Sequence, residues 1–377
     1  MTQRKFPAVF MRGGTSKAIM FHARDLPAAR AEWEAIFLST MGSPDPHGRQ
    51  LDGMGGGISS LSKVCVIAPS QRDDADIDYT FAQVQVKEAR VDYGANCGNM
   101  SSAVGPFALD EGLVPAADGD TTVRIFNTNT RKIIHSTFGV RAGRAVVEGA
   151  LAIPGVAGTG APIRLDFVDP GGATTGRLLP SGNASDVLNI PGLGRIEVSM
   201  VDAANACAFV AAEALGLKGT ELPDELERNA AGLEKLAAIR LHASVAMGIA
   251  RTLDEARARA AVPFIGFVSP AQDAPTLSGE RLPASAADVT VRMISNGQPH
   301  RALPLTASLC AAVAVRIEGT TIWKAARRDT GDKLRLAMPS GVLTVGAEVR
   351  LGNAGWQATR GSFYRTARRL FDGYVYA

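Results

Sequence analysis

Asn96-Cys97-Gly98-Asn99-Met100-Ser101-Ser102 follows a strand-like run and opens an apolar helical stretch that runs from Asn99 to Glu111, ahead of Gly112. A cysteine at a helix start faces unpaired backbone N–H groups and the positive end of the helix dipole, and both favour the thiolate. The same N–H groups form a cradle for carboxylate oxygens. Cysteine is also among the most buried residue types, so Cys97 read alone fits a structural thiol beside an Asn cap better than a functional one. Cys65, Cys207 and Cys310 lie inside apolar runs and read as core. A second candidate closes the run Gly53-Met54-Gly55-Gly56-Gly57-Ile58-Ser59-Ser60-Leu61-Ser62-Lys63, where Lys63 leads into an apolar strand. A lysine partly removed from water at such a junction is a usable base. The alternative is a solvated lysine at a strand edge. A third candidate is Met11-Arg12-Gly13-Gly14-Thr15-Ser16-Lys17, a glycine turn whose Arg12, Thr15, Ser16 and Lys17 could hold a carboxylate. An ordinary hairpin with exposed charges reads the same way.

Other chemistries find little support. The glycine-rich run lacks the G-x-x-x-x-G-K-[ST] spacing and a following helix, so it is not a nucleotide loop. His22, His47, His135 and His242 show no ligand spacing, and His300 sits in a loop ahead of a helix. No HxH, HExxH or carboxylate cluster suggests a metal, and no CxxC pair suggests zinc or a disulfide framework. Asp73, Asp74 and Asp76 look like a solvated turn.

The elements that must position these residues are short. Strand-type segments include Ala8–Phe10, Lys63–Ile67, Thr80–Val86, Val123–Phe126 and Ala145–Glu148. Helical spacing appears in Arg30–Thr40, Asn99–Glu111, twice within Glu225–Leu253, and in Leu305–Val315. Forty glycines and twenty prolines punctuate them. Many short strands with a few long helices indicate an α+β fold, or barrels around helices. Two stretches echo each other without gaps: VFMRGGTSKAIMFHARDLP at Val9–Pro27 and VSMVDAANACAFVAAEALG at Val198–Gly216. A second echo runs from Asp78 to the helix after Cys97 and from Asp288 to the helix near Thr306. Two similar halves imply duplication. The loosest stretch, Pro154–Pro191, is the natural crossover between them.

With 377 residues, two domains are expected. Lys and Arg number 40 against 37 Asp and Glu, which gives no electrostatic footprint for nucleic acid. No apolar run approaches the roughly 18 residues that span a membrane, and the N-terminus carries no signal-peptide core, so a cytoplasmic protein is expected.

Taken together, MRGGTSK at Met11–Lys17, LDGMGGGISSLSK at Leu51–Lys63, NCGNMSSAVGPFA at Asn96–Ala108 and RTARRLFDGYVY at Arg365–Tyr376 resemble the PrpF family. SNGQPHRA at Ser295–Ala302 and MPSG at Met338–Gly341 extend the resemblance over nearly the whole chain. It implies a diaminopimelate epimerase-like fold, with two pseudo-symmetric domains, each a β-barrel around a central helix, and an active site in the cleft between them. The domains are expected at 1–182 plus 362–377 and at 183–361. The resemblance puts Lys63 and Cys97 in the catalytic positions. The substrate-binding candidates are Arg12, Thr15, Ser16, Lys17, Ser60, Asn96, Gly98, Asn99, Met100, Ser295, Asn296, His300, Ser340 and Gly341. It implies no cofactor and no metal. The expected partner is a small anionic carboxylate, with no nucleic acid and no membrane; a homodimer or higher homo-oligomer is left open.

Such a protein is expected to move a proton or double bond in a small unsaturated di- or tricarboxylate, of the 2-methylaconitate type first, with 4-oxalomesaconate tautomerisation and 3-methylitaconate isomerisation as alternatives. A racemase of the same fold would need a second cysteine at the matching helix start. Counting from Asp78 and Asp288 puts Ala307 opposite Cys97, with Cys310 a turn further in, which disfavours it. Relatives often have Ser-Met-Gly where this chain has Ser295-Asn296-Gly297, and Gly-His-Pro-Ser-Gly where it has Ala337-Met338-Pro339-Ser340-Gly341, so substrate identity is the open question. A non-catalytic accessory protein of a dehydratase is the other rival.

Overall fold

A computed structural model of the chain describes residues 3–93, 96–259, 262–295, 297–353 and 355–377, apart from the side chain of Ser295. It forms two compact units: Met1–Asp166 with Tyr364–Ala377, and Phe167–Phe363. The chain passes from one to the other earlier than the 182/183 boundary expected from the sequence.

The first unit begins with hairpin β1 (Lys5–Gly13) and β2 (Ser16–His22), followed by helix α1 (Trp33–Met41). Next come β3 (Lys63–Pro69), β4 (Ile77–Val84), the short β5 (Val91–Asp92) and helix α2 (Gly98–Asp110). Strands β6 (Gly119–Asn127), β7 (Lys132–Arg141), β8 (Arg144–Ala145) and β9 (Ile163–Val168) follow. Pairing runs β1–β2 antiparallel, β2–β3 parallel, β3–β4 antiparallel, β4–β6 parallel and β6–β7 antiparallel. The C-terminal strand, Ala367–Tyr376, pairs with β1.

Strand alternation gives this sheet two apolar faces. One carries Phe10, Ile19, Phe21, Val64, Val66, Ala82 and Val84, and packs on Ile36, Phe37 and Met41 of α1. The other faces α2, whose residues from Met100 to Leu109 are all buried. A helix that is apolar on every side must be wrapped, and the strands wrap it. Near its far end, His22 lies 3.0 Å from Glu111, which also accepts from Arg369 at 2.7 Å.

The second unit repeats the plan. It contains β10 (Asp186–Ile190), β11 (Gly194–Ala203), β12 (Asn205–Ala211), helices α3 (Pro223–Arg228), α4 (Ala230–Ala246) and α5 (Leu253–Ala258), β13 (Phe264–Pro270), β14 (Ala274–Pro275) and β15 (Arg281–Leu282). After these come β16 (Val289–Ser295), β17 (Gln298–Pro299), α6 (Leu305–Val315), α7 (Thr321–Ala325), β18 (Leu334–Met338), β19 (Gly341–Gly352) and β20 (Gly355–Arg365). Pairing runs β11–β12 antiparallel, β12–β13 parallel, β13–β16 antiparallel, β16–β18 parallel and β18–β19 antiparallel, the same series as in the first unit. Helix α6 is the buried central helix, and α4 covers the outer face through Leu236, Ile239 and Ala243. The fold is α+β and diaminopimelate epimerase-like. Among the described residues no helix is long and apolar enough to cross a membrane.

Four expectations need correction. The counterpart of Asp288 is Asp76, not Asp78. Asp76 N–H donates to Arg124 O, and the Asp76 carboxylate accepts from Arg124 N–H and from its guanidinium at 2.7 Å; Asp288 does the same with Arg335, the guanidinium at 2.6 Å. Asp76 is therefore a structural anchor and not part of a solvated turn. Counting along the chain also ignored the loops before the helices. Cys97 caps α2 and accepts from Ser101 N–H at 2.9 Å; Pro304 caps α6 and accepts from Ser308 N–H at 2.8 Å. Pro304, not Ala307, is thus opposite Cys97, and the second helix still begins without a cysteine. Finally, the strand expected at Ala145–Glu148 is only Arg144–Ala145.

The two anchors differ in exposure, with carboxylates 29% exposed for Asp76 and 4% for Asp288. Loss of the drier one leaves more polar groups unpaired in low dielectric. Asp288→Ala should cost about 2–3 kcal/mol and Asp76→Ala about half that. Urea unfolding of the two variants checks the order.

Candidate active site

The α2-facing side of the first sheet is read off its pairing. Lys63 and Gln83 are cross-strand partners, as are Cys65 and Phe81, and Ile67 and Tyr79. All six therefore share one face. The Cys65 thiol lies 3.8 Å from the Tyr79 hydroxyl, both fully buried. Burial pushes the Cys65 thiol up; a charge on Cys97 pushes it further, while Lys63 pulls it back. Burial likewise raises Tyr79, and Cys65 and Cys97 add to it. Lys63 stands two positions before Cys65 on β3, on the same α2-facing side of the sheet.

Lys63 is 7% exposed. Its Nζ donates to Gln83 Oε1 at 2.5 Å and lies 5.0 Å from the centroid of the Phe81 ring. The Gln83 amide is fixed in turn, because Nε2 donates to Ser59 O and Ser62 O, each at 3.0 Å. Cys97 is half-buried and has extended backbone angles, as a cap residue should. Asn96 Oδ1 accepts from Ser101 Oγ at 3.3 Å and from buried Asn127 Nδ2 at 3.4 Å, which ties the segment ahead of Cys97 to β6.

The β1–β2 hairpin reaches the same end of α2. A Cβ on Gly13 would stand 2.7 Å from Asn99 O and 3.1 Å from Met100 Cα, and one on Gly14 would stand 2.3 Å from Asn99 Oδ1. Gly13 therefore lets backbone lie on backbone, while Gly14 makes room for the Asn99 and Arg365 side chains and takes a φ of 52°. Asn99 Nδ2 donates to Thr15 Oγ1 at 3.1 Å, and Asn99 Oδ1 accepts from Arg365 Nε at 3.1 Å. Ser16 pairs with Gly13, so it faces the head of α2 and is buried. Arg12 and Lys17 pair with each other on the opposite face, where Lys17 Nζ lies 5.7 Å from the centroid of the Phe10 ring. The Arg12 guanidinium donates to Gly14 O and Thr366 O, both at 2.9 Å, and so ties the hairpin tip to the C-terminal segment. The structure thus brings Thr15, Ser16, Asn99, Gly98 and Met100 together at the head of α2, and sets Arg12 and Lys17 apart from them. Gly98 is the first residue of that helix, and Met100 is fully buried beneath it.

The glycine-rich run is packed, not open. A Cβ on Gly53 would meet Gly42 N at 2.2 Å, and one on Gly55 would meet Gln50 Oε1 at 2.2 Å. Buried Gln50 accepts from Gly57 N–H at 2.9 Å and from Ser62 Oγ at 2.6 Å. The loop delivers a short 3-10 turn, Ser59–Leu61, directly ahead of Lys63. Ser60 sits half-buried in that turn.

In the second unit, Ser295 ends β16, Gly341 opens β19 with a φ of 122°, and the buried Ser340 Oγ has no hydrogen-bond partner among the described residues. His300 packs 6.0 Å from the Phe264 ring, and burial lowers its pKa. Asn296 and the Ser295 side chain lie outside the described residues.

Sequence reasoning missed two site neighbours. Gln83 carries no motif; its relation to Lys63 exists only through strand register. Arg365 lies at the start of the RTARRLFDGYVY segment, yet nothing in that segment tells that Arg365 is buried beside Asn99. Burial brings its pKa down to about 10, so it stays charged at neutral pH. Burial, then Arg368, lowers that of Arg12.

The family model described as "PrpF protein" matches residues 3–377. The chain belongs to the PrpF family. It is 42% identical to a 3-methylitaconate isomerase of Eubacterium barkeri, covering 99% of this chain and 97% of that protein. It is 37% identical to a 2-methyl-aconitate isomerase of Shewanella oneidensis, again over 99% and 97%. A 4-oxalomesaconate tautomerase of Pseudomonas putida is 39% identical over 100% and 97%. Among solved structures, a methylitaconate-delta-isomerase superposes with a TM-score of 0.93 at 41% identity, covering 100% of this chain and 96% of the other. A hydroxyproline epimerase from Agrobacterium vitis shares the fold, with a TM-score of 0.53 at 12% identity over 99% and 93%.

Gly13→Ala should push the hairpin off the head of α2, at a cost of about 1–3 kcal/mol and at least about tenfold in turnover. Gly139→Ala is the control, since its Cβ would stand 3.6 Å from its nearest neighbour. Thermal unfolding and kcat of the two variants check the contrast.

Proposed function

We propose that this PrpF-family isomerase moves a proton in a small unsaturated di- or tricarboxylate, with Lys63 and Cys97 as the acid–base pair. One of them removes a proton from a carbon allylic to the double bond. The electron pair delocalises into the conjugated carboxylate and gives a dienolate. A proton then returns. Return to the same carbon after rotation yields the geometric isomer, and return to the far carbon yields a shifted double bond. The molecular formula is unchanged, so the step balances without any oxidant or co-reactant.

The observation that supports this reading best is that Cys97 caps the start of α2, the helix that the Lys63 face of the sheet packs on, at the end that carries the helix's unpaired N–H groups, Thr15, Ser16, Asn99 and the cationic Arg365. Preorganised donors and positive charge favour a substrate carboxylate and the developing dienolate. Two groups of different chemistry suit the opposite demands of taking and giving a proton.

The first substrate reading is 2-methylaconitate. A 3-methylitaconate-type reaction is the second, favoured by the 42% identical relative and the TM-score of 0.93. A two-cysteine racemase is disfavoured, because α6 begins at Pro304 and Leu305.

Lys63→Ala and Cys97→Ala should both fold, since each removes a side chain at an element end. Each should lower turnover of 2-methylaconitate, 3-methylitaconate or 4-oxalomesaconate by about 10²–10⁴. Proton NMR in deuterated water separates the roles. The variant that keeps the abstracting group still washes deuterium into the allylic carbon, and the other does not. Wild-type exchange in both variants rules out the pair. Lack of turnover by the wild type on all three substrates, with tight binding to a dehydratase, would favour an accessory role instead.

A further inference from the structure

A lysine side chain has four rotatable carbons and a mobile head, and a proton-transferring amine must nevertheless stand still. In this chain the partner at Nζ is an amide. Gln83 Oε1 lies 2.5 Å from Lys63 Nζ, directly across the β3–β4 ladder. The amide cannot turn over. Its Nε2 donates to the carbonyls of Ser59 and Ser62, so a flip would set oxygen against oxygen there and nitrogen against nitrogen at Lys63. The Phe81 ring lies on the same face of the ladder and closes a further side of Nζ.

The type of acceptor matters as much as its position. A carboxylate here would hold a proton on the amine through an added opposite charge. A neutral carbonyl accepts an N–H from either the amine or the ammonium, so it orients Nζ through both halves of a proton transfer.

We infer that Gln83 is a positioning residue for Lys63, whose fixed and neutral side-chain carbonyl aims the amine while leaving its proton exchangeable. This rests on the role proposed for Lys63 above. Gln83 has no assigned part in the chemistry itself.

The test is steady-state kinetics of Gln83→Met and Gln83→Glu across pH, with Lys63→Ala alongside and thermal unfolding of each variant as the folding check. Gln83→Met keeps the length and apolar stem but removes the acceptor. It should lower kcat about 10- to 100-fold with KM within about twofold, because substrate contacts are untouched. Gln83→Glu places an anion beside the amine, which then keeps its proton to higher pH, so the limb of the pH–kcat profile that depends on Lys63 should move upward. A purely structural role would lower stability and leave that limb in place. The inference is overturned if folded Gln83→Met keeps kcat within about twofold of wild type, or if folded Gln83→Glu leaves the limb unmoved. Wild-type turnover by Lys63→Ala would instead remove the reading of Lys63 on which the inference stands. An inactive Lys63→Ala beside a fully active Gln83→Met would remove the inference alone.

Discussion

The backbone of the first hairpin meets the first turn of α2 with no side chain between them. Everything at the site depends on that contact. Gly13 and Gly14 allow it, since a Cβ at either would overlap Asn99. With the hairpin seated, Ser16 faces the helix start, Thr15 reaches the Asn99 amide, and Arg365 holds the other side of that amide. Strand β2 also pairs in parallel with β3 and places Ala18 beside Lys63. The position of the lysine relative to the Cys97 cap therefore follows from one backbone approach and one strand pairing.

Much of this was legible in the chain. The cap-and-helix pattern at Asn96–Met100, the strand that Lys63 opens and the glycine turn at Gly13-Gly14 are local, and local patterns carry their own physics. The echo between Val9–Pro27 and Val198–Gly216 holds, because both segments fold as a hairpin followed by a 3-10 turn, Ala23–Asp25 in one and Ala212–Leu215 in the other. What failed was counting across loops. Asp76, not Asp78, matches Asp288, and Pro304, not Ala307, matches Cys97, because loop lengths differ between halves while strand pairings do not. Gln83 stayed invisible because its meaning lies in register, and Arg365 because burial is a tertiary property. The glycine-rich run, rejected as a nucleotide loop from its spacing, packs against Gln50, Met41 and Gly42.

The electrostatics at the head of α2 agree with an anionic ligand. Arg365 is buried there and donates to the Asn99 amide oxygen and to the Tyr364 carbonyl. Burial lowers its pKa to about 10, so it stays a cation at neutral pH. A buried cation beside the N–H groups of a helix start favours an anion. A di- or tricarboxylate has that sign, and its dienolate carries more negative charge still. Among the described residues no group of three or more His, Cys, Asp or Glu side chains is arranged to hold a metal.

The central claim is that Cys97, and no other thiol, works at the site. The chain provides its own controls, because Cys65, Cys207 and Cys310 are fully buried while Cys97 is partly exposed. Alkylation by iodoacetamide, followed by mass spectrometry of each cysteine peptide and by residual turnover, reads the claim directly. The account predicts that label accumulates on Cys97 alone, that activity falls in step with it, and that saturating 2-methylaconitate or 3-methylitaconate slows both. Full turnover by protein completely alkylated at Cys97 would contradict it.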